Sequence, residues 1–147
     1  MYGMFLLLHV LSATVWTGGH LVLALTILPR VLREKSPAEL LRFESAFERV
    51  GLPALFIQVL TGTWLAYRMM PDITQWFAFD NPVSRLLMLK LFLLAVTVAL
   101  ALDSRLRLIP RLSANTLTSL AWHIVVVTIL SVLFVVVGVS FRSGWLV

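Results

Sequence analysis

Apolar and polar positions alternate along this chain in long blocks, with four apolar runs separated by short polar stretches. The first runs from about Tyr2 to Leu28 and meets Pro29-Arg30. The second runs from about Leu52 to Arg68, shortly before Pro71, and the third from Leu86 to Leu102, between Arg85 and Asp103. The fourth runs from about Leu117 to Phe141, between Asn115 and Arg142. About 20 apolar residues cross the hydrocarbon core of a bilayer, so each run predicts a transmembrane helix. The second is the shortest, and Phe43 and Phe47 upstream predict that its helix starts earlier. Ser36-Pro37-Ala38-Glu39 supplies an N-cap, a proline at the first helical position and an early acid, which predicts a short interfacial helix from Pro37 to Arg49 whose mixed Glu and Arg residues form a solvated face. The expected fold is a single all-α domain over residues 1–147, an integral membrane four-helix up-down bundle.

Composition agrees. With 60% hydrophobic and 13% charged residues, a soluble domain of this length could not cover its apolar surface with polar groups. There is no cysteine, which excludes disulfides, thiolate metal sites and iron–sulfur clusters. No cleavable signal peptide is expected, because the first run begins at once, lacks a basic leader and continues too long. The net charge of +5 is not a nucleic-acid signature, since the basic residues sit in short loops where they meet lipid headgroups. Arg30, Arg33, Lys35, Arg42 and Arg49 follow the first run, and Arg105, Arg107 and Arg111 follow the third. The stretch between the second and third runs has only Arg68 and Arg85 at its edges. The positive-inside rule then predicts a multi-pass protein of the cytoplasmic membrane with both termini on the outer, periplasmic side. Trp76, Phe77, Phe79 and Trp145 fit an interfacial aromatic belt.

The candidate chemistry is histidine inside the apolar runs: His9 and His20 in the first, His123 in the fourth. Intramembrane ionisable groups are functional candidates by default, and imidazole is the commonest metal ligand. His9 and His20 are eleven residues apart, so they face the same way, about 16 Å apart along the helix. His20 and His123 lie roughly 12 and 9 Å from the inner boundary. They reach one layer and could hold a metal from opposite sides, as axial imidazoles hold haem b. Trp16 falls near the same stripe, and Gly18 and Gly19 would admit a flat ring or serve close helix packing. The outer half carries His9, Lys90 and the methionines Met1, Met4, Met69, Met70 and Met88. Imidazole with thioethers suits Cu(I), while methionine is also ordinary helix filler. Lys90 would snorkel, or pair with a propionate or another anion. No carboxylate lies within a run, and no phosphate loop, HExxH or Ser-His-Asp pattern occurs, which leaves hydrolase and nucleotide-dependent activities without support.

Leu8-His9-Val10, Trp16-Thr17-Gly18-Gly19, Leu28-Pro29-Arg30, the stretch Phe47 to Trp64 with Gly62-Thr63-Trp64, and Lys90-Leu91 follow one another in order along the chain. In this the sequence resembles the small CopD-like membrane proteins linked to copper resistance and, more distantly, the HemJ-like protoporphyrinogen oxidases. The first resemblance implies copper movement or delivery. The second implies haem b, with His9 and Lys90 at the family positions. The histidine usual near the inner end of the HemJ third span has no counterpart around Ala99–Leu102, and His20 and His123 are explained by neither resemblance.

The leading expectation is a haem b membrane protein for electron transfer or redox chemistry, with membrane oxidoreductase as the enzyme class left open. His20 and His123 would be axial ligands, with His9, Lys90, Gly19 and Trp16 in supporting sites. The first alternative is copper transport or delivery through His9, His20, His123, Met4, Met69, Met70 and Met88. The second is a small structural subunit of a larger complex. Expected partners are the lipid bilayer and a quinone or redox protein. A homo-oligomer or a role as complex subunit is compatible with the chain.

Overall fold

The computed structural model describes residues 1–146. Four helices are long and apolar enough to cross a membrane: α1 (Tyr2–Glu34), α2 (Pro37–Met69), α3 (Pro82–Arg111) and α4 (Leu117–Ser143). They make an up-down bundle, and the described residues contain no strand. The chain is a multi-pass membrane protein, and its many exposed Leu, Val and Phe side chains are the lipid-facing surface that such a protein carries.

The helix ends differ from the sequence expectation in ways that have local causes. α1 does not stop at Pro29. Residues Leu23–Ile27 form a π turn, in which the Leu28 N–H reaches back to the Leu23 carbonyl. That wider turn relieves the clash and missing donor that proline brings, and the helix continues as Leu28–Glu34. α1 ends on Lys35, whose φ of 50° is left-handed. The interfacial helix and second span are one helix, Pro37–Met69, running through Pro53. α3 begins at a capping box between Asn81 and Ser84. Trp76 is buried rather than in an interfacial belt: its indole N–H donates to the Met70 carbonyl at 2.8 Å and so caps the end of α2. Phe77, Phe79 and Trp145 are exposed.

The C-terminal end of α3 repeats the device of α1. A π turn at Ser104–Leu108 closes with Ile109 N–H bonded to the Ser104 carbonyl, and Pro110 follows. Leu28-Pro29-Arg30 and Ile109-Pro110-Arg111 therefore occupy equivalent places. Counting back twenty residues from each proline gives His9 on α1 and Lys90 on α3. Each meets a glycine on the following helix, His9 against Gly62 of α2 and Lys90 against Gly138 of α4. The chain thus reads as two similar hairpins, α1–α2 and α3–α4, in parallel orientation.

The packing is less symmetric than the pattern. α1 packs on α2 and α4, α4 packs on α3, and α2 and α3 hardly touch. The α1–α4 seam is tied by the Thr17 hydroxyl donating to the Ser131 carbonyl and the Thr128 hydroxyl to the His20 carbonyl, each at 3.3 Å. Small polar side chains allow this close approach in lipid. The bundle is therefore a C, opening between α2 and α3.

Candidate functional site

In the half of the bundle that holds the chain termini, His9 leans from α1 onto α2. A side chain at Gly62 would stand 2.9 Å from its Cε1, so the glycine makes the space. The Nδ1 is 3.0 Å from the Gln58 carbonyl, which can only accept, so Nδ1 carries the hydrogen. The same N–H also faces Thr61 Oγ1 at 3.1 Å, whose own hydroxyl donates to the Ile57 carbonyl. This tautomer leaves a lone pair on Nε2. The side-chain oxygen of Gln58 is buried without a partner among the described residues. Lys90 reaches from α3 to α4, 3.4 Å from the Cβ position of Gly138 and 5.4 Å above the Phe141 ring.

In the half of the bundle next to the basic loops, the opening between α2 and α3 holds a cavity of about 390 Å³ whose walls include Trp16, His20, Glu44, Phe47, Glu48, Arg105 and His123. The layer argument thus brings His20 and His123 to one space. His20 Nδ1 donates to the Trp16 carbonyl at 2.9 Å, one turn back, and Nε2 makes no hydrogen bond among the described residues. The ring is held between Trp16, centroid to centroid 4.5 Å, and the edge of Phe47 at 5.3 Å. Phe47 itself sits on glycine: a Cβ at Gly19 would lie 2.0 Å from its ring, and one at Gly51 3.0 Å. Gly19 therefore serves close packing of α1 on α2, while Gly18 faces open space. The indole N–H of Trp16 is buried without a partner among the described residues.

His123 is engaged at both nitrogens. Nδ1 donates to the Ser119 carbonyl at 3.0 Å, and Nε2 lies 2.9 Å from Asp103 Oδ2. A carboxylate cannot donate, so a proton stands between Nε2 and Asp103 whichever group owns it. The other oxygen of Asp103 takes Arg107 at 2.9 Å. Arg105 does not join Asp103; it pairs with Glu48 across the α2–α3 opening.

These contacts bear on each ligand set expected from the sequence. Axial ligation of haem by two imidazoles would need both Nε2 atoms, and that of His123 is held by Asp103, so His20 is the one cavity imidazole with a free nitrogen. Among the described residues, no group of three or more His, Asp or Glu lies close enough to hold a metal. Met4 and Met69 are exposed, and Met70 is packed with Ala66, Trp76 and Leu87. Glu44 and Glu48, read from sequence as a solvated face, line the cavity with Phe47 and Gly51. Their i, i+3, i+4, i+7 spacing was the signal that could have placed them on one inward face.

A family model described as copper resistance protein D matches residues 41–141. Comparison with curated proteins and with solved structures finds no match.

Proposed function

Because the chain belongs to the copper resistance protein D family, we propose that it handles copper in the cytoplasmic membrane, moving the ion across the bilayer or delivering it to another site. The observation that carries this is the inner cavity, where the free Nε2 of His20 shares one space with His123 and the carboxylates of Glu44 and Glu48. Nitrogen and oxygen donors bind Cu²⁺ most strongly of the divalent first-row ions, and imidazole also suits Cu(I). His20 would take the ion first. His123 would join by leaving Asp103, and the two glutamates would supply negative charge at the mouth. Weak, separable ligands suit an ion that must leave again. We assign the ion to this cavity rather than to His9 because Lys90 stands at the depth of His9, twenty residues before Pro110 as His9 is before Pro29, and a positive amine there would oppose a cation. On the positive-inside rule the cavity opens to the cytoplasmic half and both termini face outside.

The test is reconstitution in liposomes enclosing a copper-responsive dye. Copper should enter at a rate that falls at least tenfold in His20→Ala and much less in Met69→Ala. Flux no faster than in empty liposomes, together with unchanged copper tolerance of cells expressing the protein, would refute copper handling.

Haem b binding is the second reading, favoured by one observation: a mainly apolar cavity in the membrane with aromatic walls and a single free imidazole, His20. Redox chemistry would then belong to the haem, with the protein setting ligation and burial. Iron in stoichiometric amount with a Soret band, lost in His20→Ala, would favour it; a colourless protein from haem-replete cells would remove it.

A further inference from the structure

The ion pair Glu48–Arg105 stands at a boundary. On the far side of it from the cavity lies a wider groove of about 570 Å³, lined by the first turns of α2 and the last of α3, including Arg42, Ser45 and Pro110. Glu44, Glu48 and Arg105 line both spaces. The pair is thus the partition between a groove at the loop end of the bundle and the cavity that holds His20 and His123.

Three features make this partition movable. Arg105 is carried on the π turn Ser104–Leu108, and π turns inside helices are frequent at functional sites. The base of that turn is fixed, since Asp103 just before it is held by His123 of α4. Motion of Arg105 is then a local change in the turn rather than a shift of all of α3. The pair is also half exposed, and exposed ion pairs are weak latches. The third feature is the repeat. If the hairpins α1–α2 and α3–α4 are equivalent, the counterpart of the packed α1–α4 seam is the α3–α2 seam. The first is closed and hydrogen-bonded; the second is open and bridged at its inner end by Glu48–Arg105. Transporters built from parallel repeats work by rocking one repeat against the other around a fixed site.

We propose that Glu48 and Arg105 form a gate between the loop-side groove and the membrane cavity, with α2 and α3 closing on each other through this pair and parting when it breaks. The identity of the passing ion rests on the copper reading; the gate does not. A cation arriving in the groove competes with the Arg105 guanidinium for Glu48 and Glu44, so cargo itself weakens the latch.

The absence of cysteine permits a direct test by thiol labelling in membrane vesicles, without copper. Val127→Cys puts a thiol on the buried cavity wall. With a charged, membrane-impermeant methanethiosulfonate offered from the loop side, labelling should be slow in the native pair. It should rise at least tenfold in Glu48→Gln/Arg105→Gln, and return to the slow rate in the exchanged pair Glu48→Arg/Arg105→Glu. A small neutral, membrane-permeant thiol reagent should label all three alike if the fold is intact. Equal rates with the charged reagent in all three would overturn the gate, as would an exchanged pair as fast as the neutral one. Normal labelling behaviour with no copper flux would sink the copper reading and leave the gate standing. Copper flux without the labelling contrast would do the reverse.

Discussion

Gly18 and Gly19 are neighbours on α1, and replacing each with alanine should affect stability differently. At position 18 a new Cβ meets nothing within 4 Å. The change keeps only the helix-forming advantage of alanine over glycine, roughly 0.5–1 kcal/mol. At position 19 the Cβ would stand 2.0 Å from Cε2 and 2.3 Å from Cζ of Phe47. The ring has little room to yield, because Phe43 stacks at 6.0 Å on one side and the His20 edge contact lies at 5.3 Å. Inserting a methyl into a filled contact typically costs about 1–3 kcal/mol. Since both variants share the helix contribution, the difference between them isolates that clash. Unfolding of the purified protein in mild detergent, followed by near-ultraviolet dichroism, should rank Gly18→Ala above native and Gly19→Ala below Gly18→Ala by about 1–3 kcal/mol. Phe47→Leu should recover part of the loss in the Gly19→Ala background, which a double-mutant cycle measures. Equal stability of the two alanine variants would refute the assignment of Gly19 as the seat of Phe47. So would a cycle with no coupling between positions 19 and 47.

Other consequences are local. Trp76→Phe keeps the ring but leaves the Met70 carbonyl without its indole donor; it should destabilise by about 1–3 kcal/mol, whereas Phe77→Ala, an exposed site, should change detergent stability by less than about 0.5 kcal/mol. Lys35→Gly should stabilise by about 1 kcal/mol in the same assay, because Lys35 is left-handed at φ 50° and that conformation is costly for a residue with a Cβ. Hydrogen bonds from the Thr74 hydroxyl and N–H hold the Asp72 carboxyl below its ordinary 3.8. The Asp72–Phe77 turn should therefore keep this support above about pH 3.8 and lose it as pH falls through the lower folded value. The protection factor of the Thr74 amide should fall over that range, and Asp72→Ala should remove that fall.

The spans were legible because a bilayer demands long apolar blocks, and the blocks mark the helices to within a few residues at the outer ends. Two of the ends beside the basic loops were not, because Pro29 and Asp103 look like stops while the chain widens into a π turn next to each and the helices run on to Glu34 and Arg111. Periodicity at 100° per residue carries no sign of an i to i−5 bond. The shared layer of His20 and His123 followed from counting residues, since rise per residue is fixed. Asp103 as the holder of His123 could not be counted, because it depends on where α3 bends. Glu44 and Glu48 were misread for a different reason. A charged, amphipathic stretch before a span resembles an interfacial face, and only its continuity with Phe47, Gly51 and Leu55 of α2 turns it inward.

The family match begins at Leu41 and so covers α2, α3 and α4 with Glu44, Glu48, Lys90, Asp103, Arg105 and His123, but not His9 or His20. The cavity nevertheless needs α1, which supplies its free imidazole. The repeat clarifies what α1 adds. Nine residues before Pro29 stands His20, and nine before Pro110 stands Ala101, which lines the same cavity. One hairpin offers a ligand where the other offers a methyl. Twenty residues before each proline the pair is His9 and Lys90. For a cation the two layers then differ: the inner layer sets one imidazole nitrogen and the carboxylates of Glu44 and Glu48 against the single guanidinium of Arg105, while the outer layer carries the Lys90 amine with no carboxylate in the adjoining spans. If the proposed function holds, the barrier to copper lies at Lys90 rather than at His20, and Lys90→Met should raise copper flux where His20→Ala lowers it. A Lys90→Met variant with flux below native would mean that the ammonium assists the passing species, which is the behaviour expected for an anion and not for copper.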